Sequence, residues 1–387
     1  MRQPAQPGRF AALLLSAMMV CQPMFAAGIG AASTASSPAA AKPVAHPATK
    51  STKPTAHKTT GVPTFADSTK DDVTQFDDPV VRDAAVRALG RYNGSVVAID
   101  PTTGRILTIV NQKLAFSAGF IPCSTIKPTI ALAALQENVI THDSMIKVAP
   151  RKYMNLTEAM AHSNNAFFEE LGRRMGFDTV ERYAHVMGLG ELAGFNIPEE
   201  QAGILPAAPP VNGGVARMSS FGEGIQITPL ELGSLVAALA NGGTMYYLQY
   251  PRSVEAQRDF APRVKRPLDI GPYLSDLREG MTAAVLYGTA RSSYRDHEGE
   301  QPLGKTGTCN DSASRLGWFV SYADEEHPKI ALVVLVRGRS RTVWGPFAAE
   351  IAGRIYHTLK TQNFFAEGPR PTSYTIPAVA NANPREK

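Results

Sequence analysis

Apolar and polar residues alternate from Ser95 to Val110 on either side of Asp100-Pro101-Thr102-Thr103-Gly104. Period-two alternation around such a turn predicts a β-hairpin. An apolar run, Ile130-Ala131-Leu132-Ala133-Ala134-Leu135, predicts a buried helix. From Leu156 to Met175 the pattern gives two helical stretches that meet near Ser163-Asn164-Asn165, because adjacent Asn residues weaken a helix interior. Thr228-Pro229-Leu230-Glu231 has the form of a capping box with Pro at the first helical position; its helix runs through Leu239 and stops at Asn241-Gly242-Gly243. Three strand-like runs follow, Leu303 to Cys309, Leu316 to Ala323 and Ile330 to Val336, then a helix from Phe347 to about Leu359. Strands at both ends with helices between predict an α+β fold: an antiparallel sheet flanked by helices, with an all-helical subdomain.

The pattern divides the chain into a folded body over residues 76–362, two flanking segments before it and a flexible tail over 363–387. Residues 1–32 carry Arg2 and Arg9, the apolar run Phe10 to Val20 and small residues from Ala26 to Ala32, the pattern of an export signal. Read through Ala32, the same stretch approaches the ~20 residues of a membrane anchor. Cleavage and anchoring both stay open. Met18-Met19-Val20 lacks the small residue expected before a lipidated Cys21. Residues 33–75 are rich in Ala, Pro, Thr and Lys and read as a disordered linker, since they offer too little apolar surface to offset the entropy of ordering.

Composition narrows the picture modestly. At 387 residues, 44% hydrophobic and 19% charged, the chain has enough apolar material for one large domain or two small ones. The formal charge of +5 is spread along the chain, and no nucleic-acid partner is expected. Arg337, Arg339 and Arg341 read as a solvated face, with attraction to anionic polymers as the alternative. No His/Cys/Asp group has ligand spacing, so neither metal nor cofactor is expected.

Three short motifs carry the chemistry: Ser124-Thr125-Ile126-Lys127, Ser163-Asn164-Asn165 and Lys305-Thr306-Gly307-Thr308. A second S-x-x-K, Ser144 to Lys147, lies in a polar stretch with no apolar helix behind it. Ser124 is therefore the candidate nucleophile. Lys127, three residues on, shares its helix face and is the candidate base. A buried lysine beside a second cation such as Lys305 has its pKa lowered, which a base requires. Strand alternation puts Lys305 and Gly307 on one face and Thr306 and Thr308 on the other, with both hydroxyls facing the cleft. Gly307 leaves room for a ligand backbone. His162 is read as structural.

In this order the motifs are the S-x-x-K, S-x-N and K-T-G set of penicillin-recognising serine acyl-transferases. From about Gly94 to Leu359 the chain resembles a penicillin-binding protein transpeptidase domain. The likeness extends to Gly222 through Gly243, Gly280 to Ala290 and Gly317-Trp318-Phe319-Val320. Ser124 and Ser163 are closer in sequence than in a large transpeptidase, and the stretch before Gly94 is too short for a glycosyltransferase module, so a bifunctional synthase is not expected. Pro122-Cys123-Ser124-Thr125 is also similar to class D β-lactamases, which would carry Tyr-Gly-Asn in place of Ser163-Asn164-Asn165.

The resemblance implies acyl transfer on peptidoglycan stem peptides through a Ser124 acyl-enzyme, as a D,D-transpeptidase or D,D-carboxypeptidase. β-Lactams would act as covalent inhibitors, in the cell envelope, with membrane attachment through the N-terminus as one arrangement. It implies that Ser163 relays a proton, that Asn165 binds the substrate amide, and that Lys305, Thr306 and Thr308 hold its carboxylate. The N–H groups of Ser124 and Thr308 would form the oxyanion hole. Cys123 and Cys309, their chain neighbours, would then lie close together, either bridged or as two buried thiols. A class D-like β-lactamase and an acylated sensor are the alternatives.

Overall fold

The hairpin pattern at Ser95–Val110 forms strands β1 (Gly94–Asp100) and β2 (Arg105–Val110). These belong to the computed structural model of the chain, which describes residues 61–295, 299–323 and 326–366. Helix α1 (Pro79–Leu89) precedes them, capped by the Asp78 side chain, which accepts from the N–H groups of Val80 and Val81. After the short helix α2 (Gln112–Ala115), a 3₁₀ turn at Cys123–Ile126 runs straight into α3 (Lys127–Gln136). A small ladder, β3 (Ile146–Ala149) with β4 (Lys152–Met154), leads to α4 (Leu156–Ala161), α5 (Asn165–Met175) and α6 (Phe177–Val186). Then come α7 (Gly214–Phe221) and α8 (Pro229–Ala240), whose capping box between Thr228 and Glu231 is present in both directions. Strands β5 (Thr244–Tyr246) and β6 (Val264–Pro267) pair around α9 (Val254–Arg258) and are followed by α10 (Leu274–Leu286). Strands β7 (Pro302–Asn310), β8 (Arg315–Ala323) and β9 (Ile330–Gly338) and the long helix α11 (Gly345–Thr361) complete the series.

Among the described residues one five-stranded antiparallel sheet dominates, in the order β2-β1-β9-β8-β7. Each strand alternates its side chains between two cores. Val96, Ala98, Leu332 and Val334 pack with α1 and α11 through Val81, Ala85, Ile351 and Ile355. Val97, Ile99, Val333 and Leu335 face the helical part, with Ile130 of α3 and Leu232 of α8. Both faces are covered, which is why Ile330–Val336 reads as an unbroken apolar run rather than an alternating one. Helix α3 is buried along nearly its whole length and has no polar face, as befits a helix at the centre of a helical layer. The fold is α+β: an antiparallel sheet between one helical layer and an inserted helical subdomain.

The chain's ends differ from expectation. Residues 61–75, read as linker, pack on the sheet. Asn93 N–H donates to Thr64 O, Ala66 N–H donates to Arg91 O, and Asp72 pairs with Arg82 at 2.7 Å. These partners are distant in sequence, so local composition carries no trace of them. Phe364 and Phe365, placed in the tail, pack against the α1/α11 core, and Lys329 Nζ donates to Phe365 O. The expected export signal at 1–32, the linker as far as residue 60 and the tail from 367 lie outside the described residues.

Candidate active site

The S-x-x-K motif is shaped by a 3₁₀ turn rather than by the first turn of an α-helix. In a 3₁₀ helix, side chains three residues apart eclipse one another. Ser124 Oγ and Lys127 Nζ are accordingly 2.9 Å apart, with Lys127 fully buried. The turn is anchored from several sides. Thr125 Oγ1 donates to Pro122 O, and Trp318 Nε1 of β8 donates to Ile121 O. A Cβ on Gly307 would sit 3.0 Å from Pro122 O and 3.1 Å from Thr125 Cγ2. Gly307 thus makes room for the S-x-x-K turn.

The S-x-N motif joins the caps of two helices in three residues. Ser163 has φ 53°, and Asn164 N–H reaches back to Ala159 O while Ser163 N–H reaches Met160 O. That is the left-handed end of α4 in Schellman form, at a position usually held by glycine. Asn164 then caps α5, its side chain accepting from Phe167 N–H at 3.0 Å. Asn165 opens α5 with its side chain exposed towards Lys127. The short connection fixes where Ser163 points.

Lys127 Nζ lies 2.7 Å from Ser163 O, 2.7 Å from Asn165 Oδ1 and 3.0 Å from Ser163 Oγ, besides its contact with Ser124. The first two atoms only accept hydrogen bonds, so they take two N–H groups. A neutral amine is left with its lone pair facing the hydroxyls, where it can accept the Ser124 proton. Burial first, then the charge of Lys305, hold Lys127 well below the ordinary lysine range, against an opposing pull from Glu169. The bond to Lys127 also fixes the Asn165 amide, with its Oδ1 turned to the amine.

Lys305 is fully buried, and burial brings its pKa down to about 7. Its Nζ donates to Ser163 Oγ at 2.8 Å and to Thr306 O at 2.9 Å. Ser163 Oγ therefore sits between two amines. Thr306 and Thr308 leave β7 on the other face, as alternation requires. Thr306 Oγ1 shares a hydrogen bond with Thr289 Oγ1, and Thr308 Oγ1 accepts from Gly345 N–H at the start of α11. Both hydroxyls therefore stand beside the positive end of a seventeen-residue helix, which favours an anion there.

All seven expected site residues fall into one cluster, Ser124, Lys127, Ser163 and Asn165 on one side and Lys305, Thr306 and Thr308 on β7. Sequence reasoning gave no role to Thr289 or to the N-terminus of α11. In the sequence Gly288-Thr289-Ala290 stands out only as a family-like stretch, and the partner of Thr289 lies on a distant strand. Cys123 and Cys309 form a disulfide with Cα atoms 5.6 Å apart, which resolves the two thiol alternatives. The second S-x-x-K stands apart, Lys147 being exposed on β3. His162 lies against Glu158 and Tyr287 on the surface. Arg337 is not on a solvated face: it is half-buried, with its guanidinium 5.2 Å from the Phe120 ring, whereas Arg339 and Arg341 are exposed.

Comparison with known proteins agrees with this geometry. Residues 94–357 match the penicillin binding protein transpeptidase domain. The chain is 25% identical over 309 residues to stage V sporulation protein D of Bacillus subtilis, covering 67% of this chain and 48% of that protein. It is 26% identical over 350 residues to the peptidoglycan D,D-transpeptidase PbpA of Mycolicibacterium smegmatis, covering 70% and 69% respectively. In fold it resembles the D,D-transpeptidase domain of a peptidoglycan glycosyltransferase from Eggerthella lenta, with a TM-score of 0.60 at 19% identity over 74% of this chain and 82% of that one. The chain spans about half the length of the first curated relatives it matches. With the match covering most of the described residues, the chain belongs to the penicillin-binding protein transpeptidase domain family.

Proposed function

We propose that the chain is a serine D,D-acyltransferase acting on peptidoglycan stem peptides. The observation that carries this reading is Lys127 Nζ, stripped of water, with two N–H groups committed to Ser163 O and Asn165 Oδ1 and its lone pair left for Ser124. Lys127 takes the Ser124 proton as Oγ attacks the penultimate D-Ala carbonyl. The oxyanion is met by the N–H groups of Ser124 and Thr308, each such donor being worth ~3–4 kcal/mol. The peptide C–N bond then breaks, the departing D-Ala nitrogen receives a proton through Ser163, and the Ser124 ester remains. An amine from a second stem, or water, resolves it. Asn165 NH₂ donates to the donor's backbone carbonyl, and the Thr306 and Thr308 hydroxyls, beside Lys305, bind the terminal carboxylate. A β-lactam enters the same sequence, but its amine stays tethered and the ester persists.

The disulfide supports an oxidising compartment, and with the N-terminal pattern it favours export to the cell envelope. No helix among the described residues is long and apolar enough to cross a membrane; membrane attachment is proposed through the N-terminal segment on its sequence pattern alone. Labelling with a fluorescent penicillin followed by intact mass tests the proposal. A long-lived adduct on the wild type, absent from Ser124→Ala, is expected; labelling that survives in Ser124→Ala puts the nucleophile elsewhere. Rapid release of penicilloate would instead make the chain a β-lactamase. Incubation with a stem pentapeptide and an acceptor amine separates transpeptidase from carboxypeptidase by its products.

A further inference from the structure

The Cys123–Cys309 disulfide bridges residues 186 positions apart in sequence. Each half-cystine is the chain neighbour of one proposed oxyanion donor: Cys123 precedes Ser124 and Cys309 follows Thr308. These donors stand on different elements, a 3₁₀ turn and the edge strand β7. Among the described residues, strand β7 has a ladder partner, β8, on one side only. No strand ladder therefore sets the distance between its free edge and the turn. The cross-link does so covalently, within the roughly 4.4–6.8 Å Cα separation that a disulfide permits, beside the non-covalent contacts of Trp318 Nε1 with Ile121 O and of Gly307 with Pro122. Cys123 itself has φ 54°, a left-handed conformation that a non-glycine residue holds only when its surroundings impose it.

We propose that the Cys123–Cys309 disulfide is a positioning element for acylation, setting the separation of the two oxyanion-hole N–H groups. The inference rests on the serine acyl-transfer reading above. Its physical basis is the fixed span of the covalent link, which two alanines leave slack and two thiols force wider. Bonded sulfurs lie about 2 Å apart, whereas unbonded atoms of this size need roughly 3.5–4 Å. Both cysteines are buried, Cys123 completely, so two thiols can separate only by pushing the turn and the strand apart or by turning into occupied space. Oxyanion donors work within a window of a few tenths of an ångström, and an error of about 1 Å can cost 100-fold in rate. The donors act on charge that exists only in the tetrahedral intermediate. The Asn165 amide hangs on Lys127 and the Thr308 hydroxyl on Gly345 N–H, so the ground-state contacts have anchors besides the bridge. Loss of the bridge should therefore slow acylation and leave prior binding alone.

The test is stopped-flow acylation of the oxidised chain by a labelled penicillin, resolving the acylation rate constant k2 from the dissociation constant Kd of the preceding complex. The same measurement follows reduction with a phosphine, in which the disulfide, phosphine and one water give two thiols and the phosphine oxide. Intact mass confirms the gain of two hydrogens. The double variant Cys123→Ala/Cys309→Ala gives an independent route where the buried bridge resists reduction. The expected result is a fall in k2 of about 10- to 100-fold, Kd within about twofold, and recovery of k2 on reoxidation of the reduced wild type. An unchanged k2 after full reduction, or in the folded double variant, overturns the proposal. So does a loss of k2 accompanied by an equal rise in Kd, which would mark general loosening. If the oxidised chain never acylates Ser124, the underlying acyl-transfer reading falls, and this inference with it.

Discussion

At the scale of single residues, the site turns on two buried amines that share one hydroxyl. Ser163 Oγ lies 3.0 Å from Lys127 Nζ and 2.8 Å from Lys305 Nζ, too close for both nitrogens to carry a charge cheaply. Lys127 yields, and Lys305, brought to about 7 by burial, keeps a share of its charge near neutrality. Acylation should consequently fall on the acid side as Lys127 gains its proton, and on the alkaline side as Lys305 loses its own. Replacing Lys305 with Ala removes a cation from beside Lys127, so the Lys127 pKa rises and the acid limb moves to higher pH. A pH profile of penicillin acylation from about pH 5 to 10 checks this; an acid limb that stays put would assign it to another group. The identities of these residues were legible in the sequence, because their motifs are spelled by side-chain type. The left-handed conformations of Cys123 and Ser163 were not, since neither residue type announces one.

Elements set how firmly those residues are held. The α4–α5 junction contains no spare residue: the left-handed end of one helix is Ser163, the cap of the next is Asn164, and Asn165 is already helical. Asn164→Ala should cost about 1 kcal/mol of stability through the lost cap and, by freeing Ser163, slow acylation about tenfold. Thr228→Ala breaks the capping box of α8 for a similar loss of stability and should leave acylation unchanged. Denaturant titration of both variants beside their acylation rates distinguishes the two roles; equal rates would make Asn164 a cap and nothing more. The helix starts and stops were readable because Thr, Pro, Glu, Asn and Gly mark them by local chemistry. The 3₁₀ turn at Cys123–Ile126 was not, because what bends it there is Trp318, Gly307 and a cysteine on another strand.

For the whole molecule, sheet, helical layers and topology class followed from the order of strand-like and helix-like runs. What escaped was the seam that fastens residues 61–78. Its centre is Asp77, 6% exposed, which accepts from Thr108 Oγ1 at 2.6 Å and from Tyr250 OH at 2.5 Å. Burial raises the Asp77 carboxyl to about 6, although these hydroxyls and Arg82 pull it down. A carboxyl raised in the folded state contributes stability below its unfolded pKa near 4 and loses it as pH rises to about 6. Asp77→Asn can still bond both hydroxyls and has no such loss. Between about pH 4 and 7 its stability relative to wild type should gain about 2–3 kcal/mol, measured by urea unfolding at each pH. A flat difference would mean that Asp77 is already ionised in the fold.

The sheet order has a consequence for how the chain comes into being. Strand β1 is flanked by β2, its neighbour in sequence, and by β9, which begins only at Ile330. A chain emerging N-terminus first, from a ribosome or through a translocation channel, can form the β1–β2 hairpin early and then has nothing to lay beside it. More than two hundred residues must pass before β1 acquires its second partner. Non-local pairing of this kind is slow and leaves an open edge exposed in the meantime. The protein should stay pliable and dependent on holding factors until its last strand is delivered, a state well suited to threading and poorly suited to premature folding.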